Sequence, residues 1–276
     1  MLRARLLTAL PLAAGVLALI WFAPSTWVSA LFGLVALLGA WEWVALCGRQ
    51  TLAVRLLYVS LFAAVLAGLN AAGAAAPPFQ EVWGVPALIW WLAVLVLLLA
   101  QSRRPDAVLL PPAARMVAGL ITLSLAWLGL VAIHTRPDDG AFWLTVLFSL
   151  VWGADIGAYF AGHRFGRLRL APAISPGKTW EGVAGGIVTG LALMVFLMVM
   201  GKGLGEAFPS LGWLVPTALI VMAASVVGDL GESVLKRWAD VKDSGRLLPG
   251  HGGVLDRVDA LLAAAPVMAT ALMQLA

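Results

Sequence analysis

Residues able to do chemistry are few in this chain, and most of them fall in two stretches. The longer reads Gly228-Asp229-Leu230-Gly231-Glu232-Ser233-Val234-Leu235-Lys236-Arg237, continues as Lys242-Asp243-Ser244-Gly245-Arg246, and closes as His251-Gly252-Gly253-Val254-Leu255-Asp256-Arg257-Val258-Asp259. Asp229 ends one apolar run, while Asp256 and Asp259 open the next. A spacing of three puts Asp256 and Asp259 on one helical face. Carboxylates gathered where helices leave a membrane suit Mg2+, which takes hard oxygen ligands and keeps waters for a substrate phosphate. The plainer alternative is ordinary ion pairing with Lys236, Arg237 and Arg257. For all three acids together it is the weaker reading, because acids at membrane depth are rare and usually functional.

The shorter stretch, Ser175-Pro176-Gly177-Lys178-Thr179-Trp180-Glu181-Gly182, reads as a turn leading into a helix. Backbone N–H groups at a helix start beside a glycine-adjacent lysine form an anion site. A Pro-Gly turn with Thr179 as a cap would explain the same residues without a ligand. In His251-Gly252-Gly253 the glycines allow close backbone approach or positive φ, and the histidine sits between acidic clusters. Metal-binding acids, phosphate-binding cations and glycine turns together suit transfer of a nucleotidyl or phosphoryl group. There is no HExxH pair and no GxxxxGK[ST] loop, which argues against a zinc protease or a P-loop NTPase.

The elements that must position these residues are membrane helices. Of the 276 residues 62% are hydrophobic and 12% charged, with a mean hydropathy of +0.97. Soluble domains carry about 25% charged residues, so lipid must be much of this chain's solvent. Thirteen Trp against two Tyr fit that setting, since Trp favours the headgroup level. A hydrocarbon core about 30 Å thick takes roughly 20 apolar residues per helix. That ruler predicts an all-α bundle of about nine membrane helices at 6–23, 27–47, 54–76, 84–101, 116–134, 141–162, 181–201, 211–229 and 258–275. Arg3 and Arg5 before an apolar run, with Val28-Ser29-Ala30 after it, imitate a signal peptide. Because hydrophobic segments follow without pause, we read an uncleaved first helix.

With the N-terminus in the cytosol, sixteen of the eighteen Lys and Arg fall inside and only Arg136 and Lys202 outside. This is the positive-inside pattern, and it accounts for a pI near 9.7 without nucleic acid. Residues 1–140 then form five N-terminal helices. Residues 141–276 form the catalytic region, with long cytosolic loops at 163–180 and 230–257. Cys47 is the only cysteine and lies in an apolar run, which excludes an intramolecular disulfide and reads as a small buried residue.

The stretch Ser233–Asp259 resembles the signature of phosphatidate cytidylyltransferases, the CDP-diacylglycerol synthases. Its fixed positions are met by Ser233, Lys236, Arg237, Lys242, Asp243, His251, Gly252, Gly253, Asp256, Arg257 and Asp259. Ala154-Asp155-Ile156-Gly157-Ala158-Tyr159-Phe160 and Ser175–Gly182 also look like that family, so the likeness covers about residues 150–260. His163 departs from it, standing where Arg or Lys is expected.

The resemblance implies CTP and phosphatidate as substrates, CDP-diacylglycerol and pyrophosphate as products, Mg2+ with K+ as a second ion, and a homodimer. It also implies metal at Asp229, Asp256 and Asp259, and phosphates at Lys178, Lys236, Arg237 and Arg257. Asp155, Ser175, Ser233, Lys242, Asp243, His251, Gly252 and Gly253 complete the expected substrate contacts. A bacterial inner membrane is the expected location. A CTP-dependent polyprenol or phytol kinase, an anion transporter and an inactive homologue are the competing readings.

Overall fold

The computed structural model describes residues 13–48, 50–103, 109–203, 208–247 and 252–275, the side chains of residues 202 and 203 excepted. Among them are nine α-helices: α1 Ala13–Phe22, α2 Ser25–Leu46, α3 Leu52–Ala71, α4 Phe79–Arg103, α5 Pro112–His134, α6 Gly140–Phe165, α7 Trp180–Gly203, α8 Leu211–Trp238 and α9 Leu255–Leu272. Eight are long and apolar enough to cross a membrane, so the chain is a polytopic helical bundle. Even the shortest of these eight, α9 with 18 residues, covers about 27 Å at 1.5 Å per residue. Of the expected first helix, residues 13–22 are observed, and residues 6–12 lie outside the described ones.

Local chemistry sets several of the boundaries. Pro112 occupies the first turn of α5, where its missing N–H costs nothing. Thr51 caps α3 by accepting the Val54 N–H at 3.3 Å. Thr179 does the same for α7, its Oγ1 accepting the Gly182 N–H at 3.1 Å.

Two expectations need correction. The helix expected to stop at Asp229 runs on to Trp238, so Glu232, Ser233, Lys236 and Arg237 ride on a helix, and the loop before α9 shrinks to 239–254. The segment at 163–180 is not plain loop either. It folds into an antiparallel hairpin, β1 Arg169–Ala171 and β2 Ser175–Thr179, with Lys178 on the second strand. Both departures have one cause. Leu230 and Val234 of α8 pack with Ala171 and Ile174 of the hairpin and Leu98 of α4 in a small separate core. That apolar contact gives the extra turns of α8 a partner to bury against.

The helix ends sort into two sets. At one end Glu42 of α2 reaches the start of α9, Trp43 bonds to Arg115 at the start of α5, and Lys178 before α7 reaches Asp229 of α8. At the other end His134 closing α5 meets the Ile20 carbonyl, and Arg136 meets the Leu272 carbonyl closing α9. All the expected site residues that are described lie toward the first end, Asp155 on α6 among them. So do most of the described Lys and Arg, Arg136 being at the opposite end.

The most enclosed span is α9, 67% of whose apolar window is buried against 17% for α3. It packs on α8, α5 and α4, and Ala260–Ala265 form its buried spine. Its contact with α8 is close enough that a Cβ on Gly228 would stand 2.5 Å from the Asp259 carbonyl oxygen. Cys47, just beyond α2, is fully buried and donates its S–H to the Trp43 carbonyl.

Gly228→Ala should loosen α8 from α9 and cost about 1–3 kcal/mol, seen as a lower unfolding midpoint in detergent. Burial pushes the Cys47 thiol up to about 11. The thiol should therefore resist a membrane-permeant maleimide at neutral pH and react only after denaturation.

Candidate active site

The site is built on the last three turns of α8 and the first turns of α9. Asp229, Glu232, Ser233 and Lys236 recur at three- and four-residue steps, so one stripe of α8 carries them all. Ser233 Oγ donates to Asp229 Oδ1 at 3.4 Å. Lys236 Nζ lies 2.5 Å from Glu232 Oε2 on its own helix and 2.7 Å from Asp256 Oδ1 on α9. The other oxygen of Asp256 accepts the Ser244 N–H at 2.9 Å and the Gly253 N–H at 2.8 Å. Gly252 turns the chain there with φ of +81°, a conformation that favours glycine.

A second group faces a cleft of about 630 Å3 between α6, α7 and α8. Lys178 Nζ bonds to Asp229 Oδ2 at 2.5 Å, and both residues line the cleft together with Asp155, His163 and Arg169. Deeper along α7 and α8 the walls turn apolar, with Val183, Ile187, Leu219, Met222 and Val226. The cleft thus joins a charged mouth to a greasy lane. The small residues facing each other across α6 and α7 keep those helices close: a Cβ on Gly186 would stand 2.7 Å from the Ala154 carbonyl oxygen.

The two groups are electrically one. Asp259 feels the charges of Asp229, Glu232 and Asp155, while Asp155 feels those of Lys178 and Arg257. Five carboxyl groups (Asp155, Asp229, Glu232, Asp256, Asp259) stand here among Lys178, Lys236, Arg257 and, at the cleft mouth, Arg169, an oxygen-rich setting threaded with cations.

The three aspartates expected to share a metal are not equally placed. Asp229 and Asp259 lie across the tight α8–α9 contact; Asp229 is held by Ser233 and Lys178, and Asp256 by Lys236 and two backbone amides. Among the described residues no three His, Cys, Asp or Glu side chains converge as a metal cage. Mg2+ needs only one or two carboxylates, completing its octahedron with water and substrate phosphate, and Asp229 and Asp259 are the pair placed to supply them. Glu232 Oε1, buried and without a hydrogen bond from the described residues, is a further unsatisfied oxygen close by. The donor set therefore fits the ion.

The other expected residues that are described lie at the surface or on the hairpin. Arg237, Lys242 and Asp243 are exposed. Ser175 sits on β2, paired with Ala171. His251 lies outside the described residues.

Comparison with known proteins fits this geometry. A family model described as "Cytidylyltransferase family" matches residues 3–275. The chain belongs to the cytidylyltransferase family. A protein of Pseudomonas aeruginosa named phosphatidate cytidylyltransferase is 40% identical over 274 residues, 99% of this chain and 97% of that one. Its namesake in Haemophilus influenzae is 36% identical over 280 residues, 96% of each. One from Bacillus subtilis is 39% identical over 155 residues, 54% of this chain and 56% of that protein.

Two acids of this cytidylyltransferase escaped the sequence reading as site residues. Glu232 could have been found from its position, three residues after Asp229 and four before Lys236. Glu42 is a lone carboxylate in an apolar run, and acids at membrane depth are rare and usually functional.

Asp256→Asn should leave the bundle folded, since Lys236 keeps Glu232, but displace the ammonium from its place. Turnover should fall by about 100-fold or more, with an unchanged size-exclusion profile. Near-parental turnover would remove Asp256 and Lys236 from the chemistry.

Proposed function

We propose that this chain is a phosphatidate cytidylyltransferase, converting CTP and phosphatidate into CDP-diacylglycerol and pyrophosphate. The observation that carries the reading is the cleft itself: a mouth holding Asp155, Lys178 and Asp229 that opens onto an apolar lane along α7 and α8. This shape suits an anionic headgroup with acyl chains. The relatives' names and the family model support the same activity.

The residues act mainly by placing charge. The nucleophile is an oxygen of phosphatidate's phosphomonoester, largely ionised near neutral pH because its second pKa is about 6. A strong general base is not needed. A bond forms from that oxygen to the α-phosphorus of CTP as the bond to the bridging oxygen of pyrophosphate breaks, the electron pair leaving with pyrophosphate. Two anions must meet, so the chain's task is to hold them in line and offset their charge. Lys178 and Arg257 serve the phosphates at the mouth, and Lys236, gripped by Glu232 and Asp256, presents a fixed positive charge beside them. Ser233 orients Asp229. Asp229 and Asp259 would hold Mg2+, which would supply positive charge to offset that of the phosphates.

Orientation belongs to the same proposal. The end of the bundle carrying the site and most of the basic residues faces the cytosol, in keeping with the positive-inside rule, and the membrane is a bacterial inner membrane. The homodimer rests on the family resemblance.

Purified protein given α-labelled CTP, phosphatidate and Mg2+ should put label into a lipid product and release pyrophosphate. Release of CDP with an unlabelled phosphorylated lipid would identify a lipid kinase instead. Chromatography of the lipid phase and assay of pyrophosphate separate the outcomes.

A further inference from the structure

Glu42 is 2% exposed and lies toward the end of α2, far from Asp229 and Lys178 in sequence. Its carboxylate accepts three hydrogen bonds, all from the segment that delivers α9. The Val254 N–H donates to Oε1 at 3.0 Å, and the Leu255 N–H and Ser244 Oγ donate to Oε2 at 2.8 and 2.9 Å. Two of these donors are backbone amides at the N-terminal end of α9, where a negative charge is favourable. Room for the carboxylate is made by two glycines: a Cβ on either Gly245 or Gly253 would collide with it.

The same short segment also grips Asp256. The Ser244 and Gly253 amides donate to Asp256 Oδ2 while their neighbours donate to Glu42. Two carboxylates from opposite sides thus hold one loop, and Asp256 passes the constraint to Lys236 through its other oxygen. A buried carboxylate is costly to keep in an apolar helix, and this one makes its three bonds to the loop rather than to its own helix.

We propose that Glu42 is a positioning residue of the transfer reaction. It holds Ser244, Val254 and Leu255 in place so that Asp256 keeps Lys236 at the phosphates. This rests on the reading of the cleft as a cytidylyltransferase site.

Glu42→Gln keeps the shape but replaces one acceptor oxygen with an amide that faces N–H or O–H donors. Gly245→Ala leaves the charge and pushes the carboxylate aside. Each variant should lower kcat about 10–100-fold while KM for CTP and phosphatidate stays within about twofold. Limited trypsinolysis supplies a readout that does not depend on catalysis. Cleavage after the exposed Lys242 and Arg246 should accelerate, while cleavage after Arg167 and Arg169 near the hairpin stays at the parental rate.

A parental kcat in folded Glu42→Gln overturns the proposal. So does trypsin cleavage that rises equally at all four sites, or failure of both variants to fold, because Glu42 would then serve the whole bundle. If the parent protein makes no CDP-diacylglycerol, the enzyme reading falls instead, and the trypsin comparison still decides whether Glu42 clamps the loop.

Discussion

Acids gathered at one end of an apolar bundle are tolerated only where something partners them. Burying an unpaired ion costs several kcal/mol even after relaxation. The structure meets that constraint with two lysines, each drawn tightly onto acids: Lys178 onto Asp229, and Lys236 between Glu232 and Asp256. Much of the local architecture follows from keeping these charges together. The extra turns of α8 carry Glu232 and Lys236 toward α9. The hairpin brings Lys178 across to α8. The loop before α9 turns its amides toward Asp256 and Glu42.

The balance is incomplete, and the shortfall has chemical meaning. Glu232 Oε1 has no donor from the described residues. On the proposed reading, a divalent ion would need carboxylate oxygens that the lysines do not already hold. Arrival of phosphates gives the lysines a second set of anions to serve. The acids they release then become available to a metal. In this view the ion pairs hold the acids in place until substrate comes, and they fix the lysines within reach of where its charge will lie.

How far all this could be read from residues alone depended on the kind of signal. Hydropathy located the eight long spans because each is a nearly unbroken apolar run, the strongest pattern a chain can carry. The signature residues from Ser233 to Asp259 led to the α8–α9 centre. Three things stayed hidden. The end of α8 was placed too early because Asp229, Glu232, Lys236 and Arg237 look like a polar loop, while the apolar partner that makes a helix of them, the pair Ala171 and Ile174, lies some 60 residues away in the sequence. The hairpin was missed because three- and five-residue strands have almost no periodicity of their own. Glu42 was passed over because its partners stand more than 200 residues downstream. Local pattern reports local structure, and each of these features is made by distant contact.

The best-enclosed of the described spans, α9, follows the other described α-helices in sequence. During synthesis the preceding segments enter the bilayer while α9 is still unmade, so Lys236 has only Glu232, and Glu42 has none of its three donors. Everything the site needs from the C-terminal side, Asp256, Arg257 and Asp259 together with the loop that aims them, arrives in one late docking step. A bundle without α9 would thus lack Asp256, Arg257 and Asp259 at once.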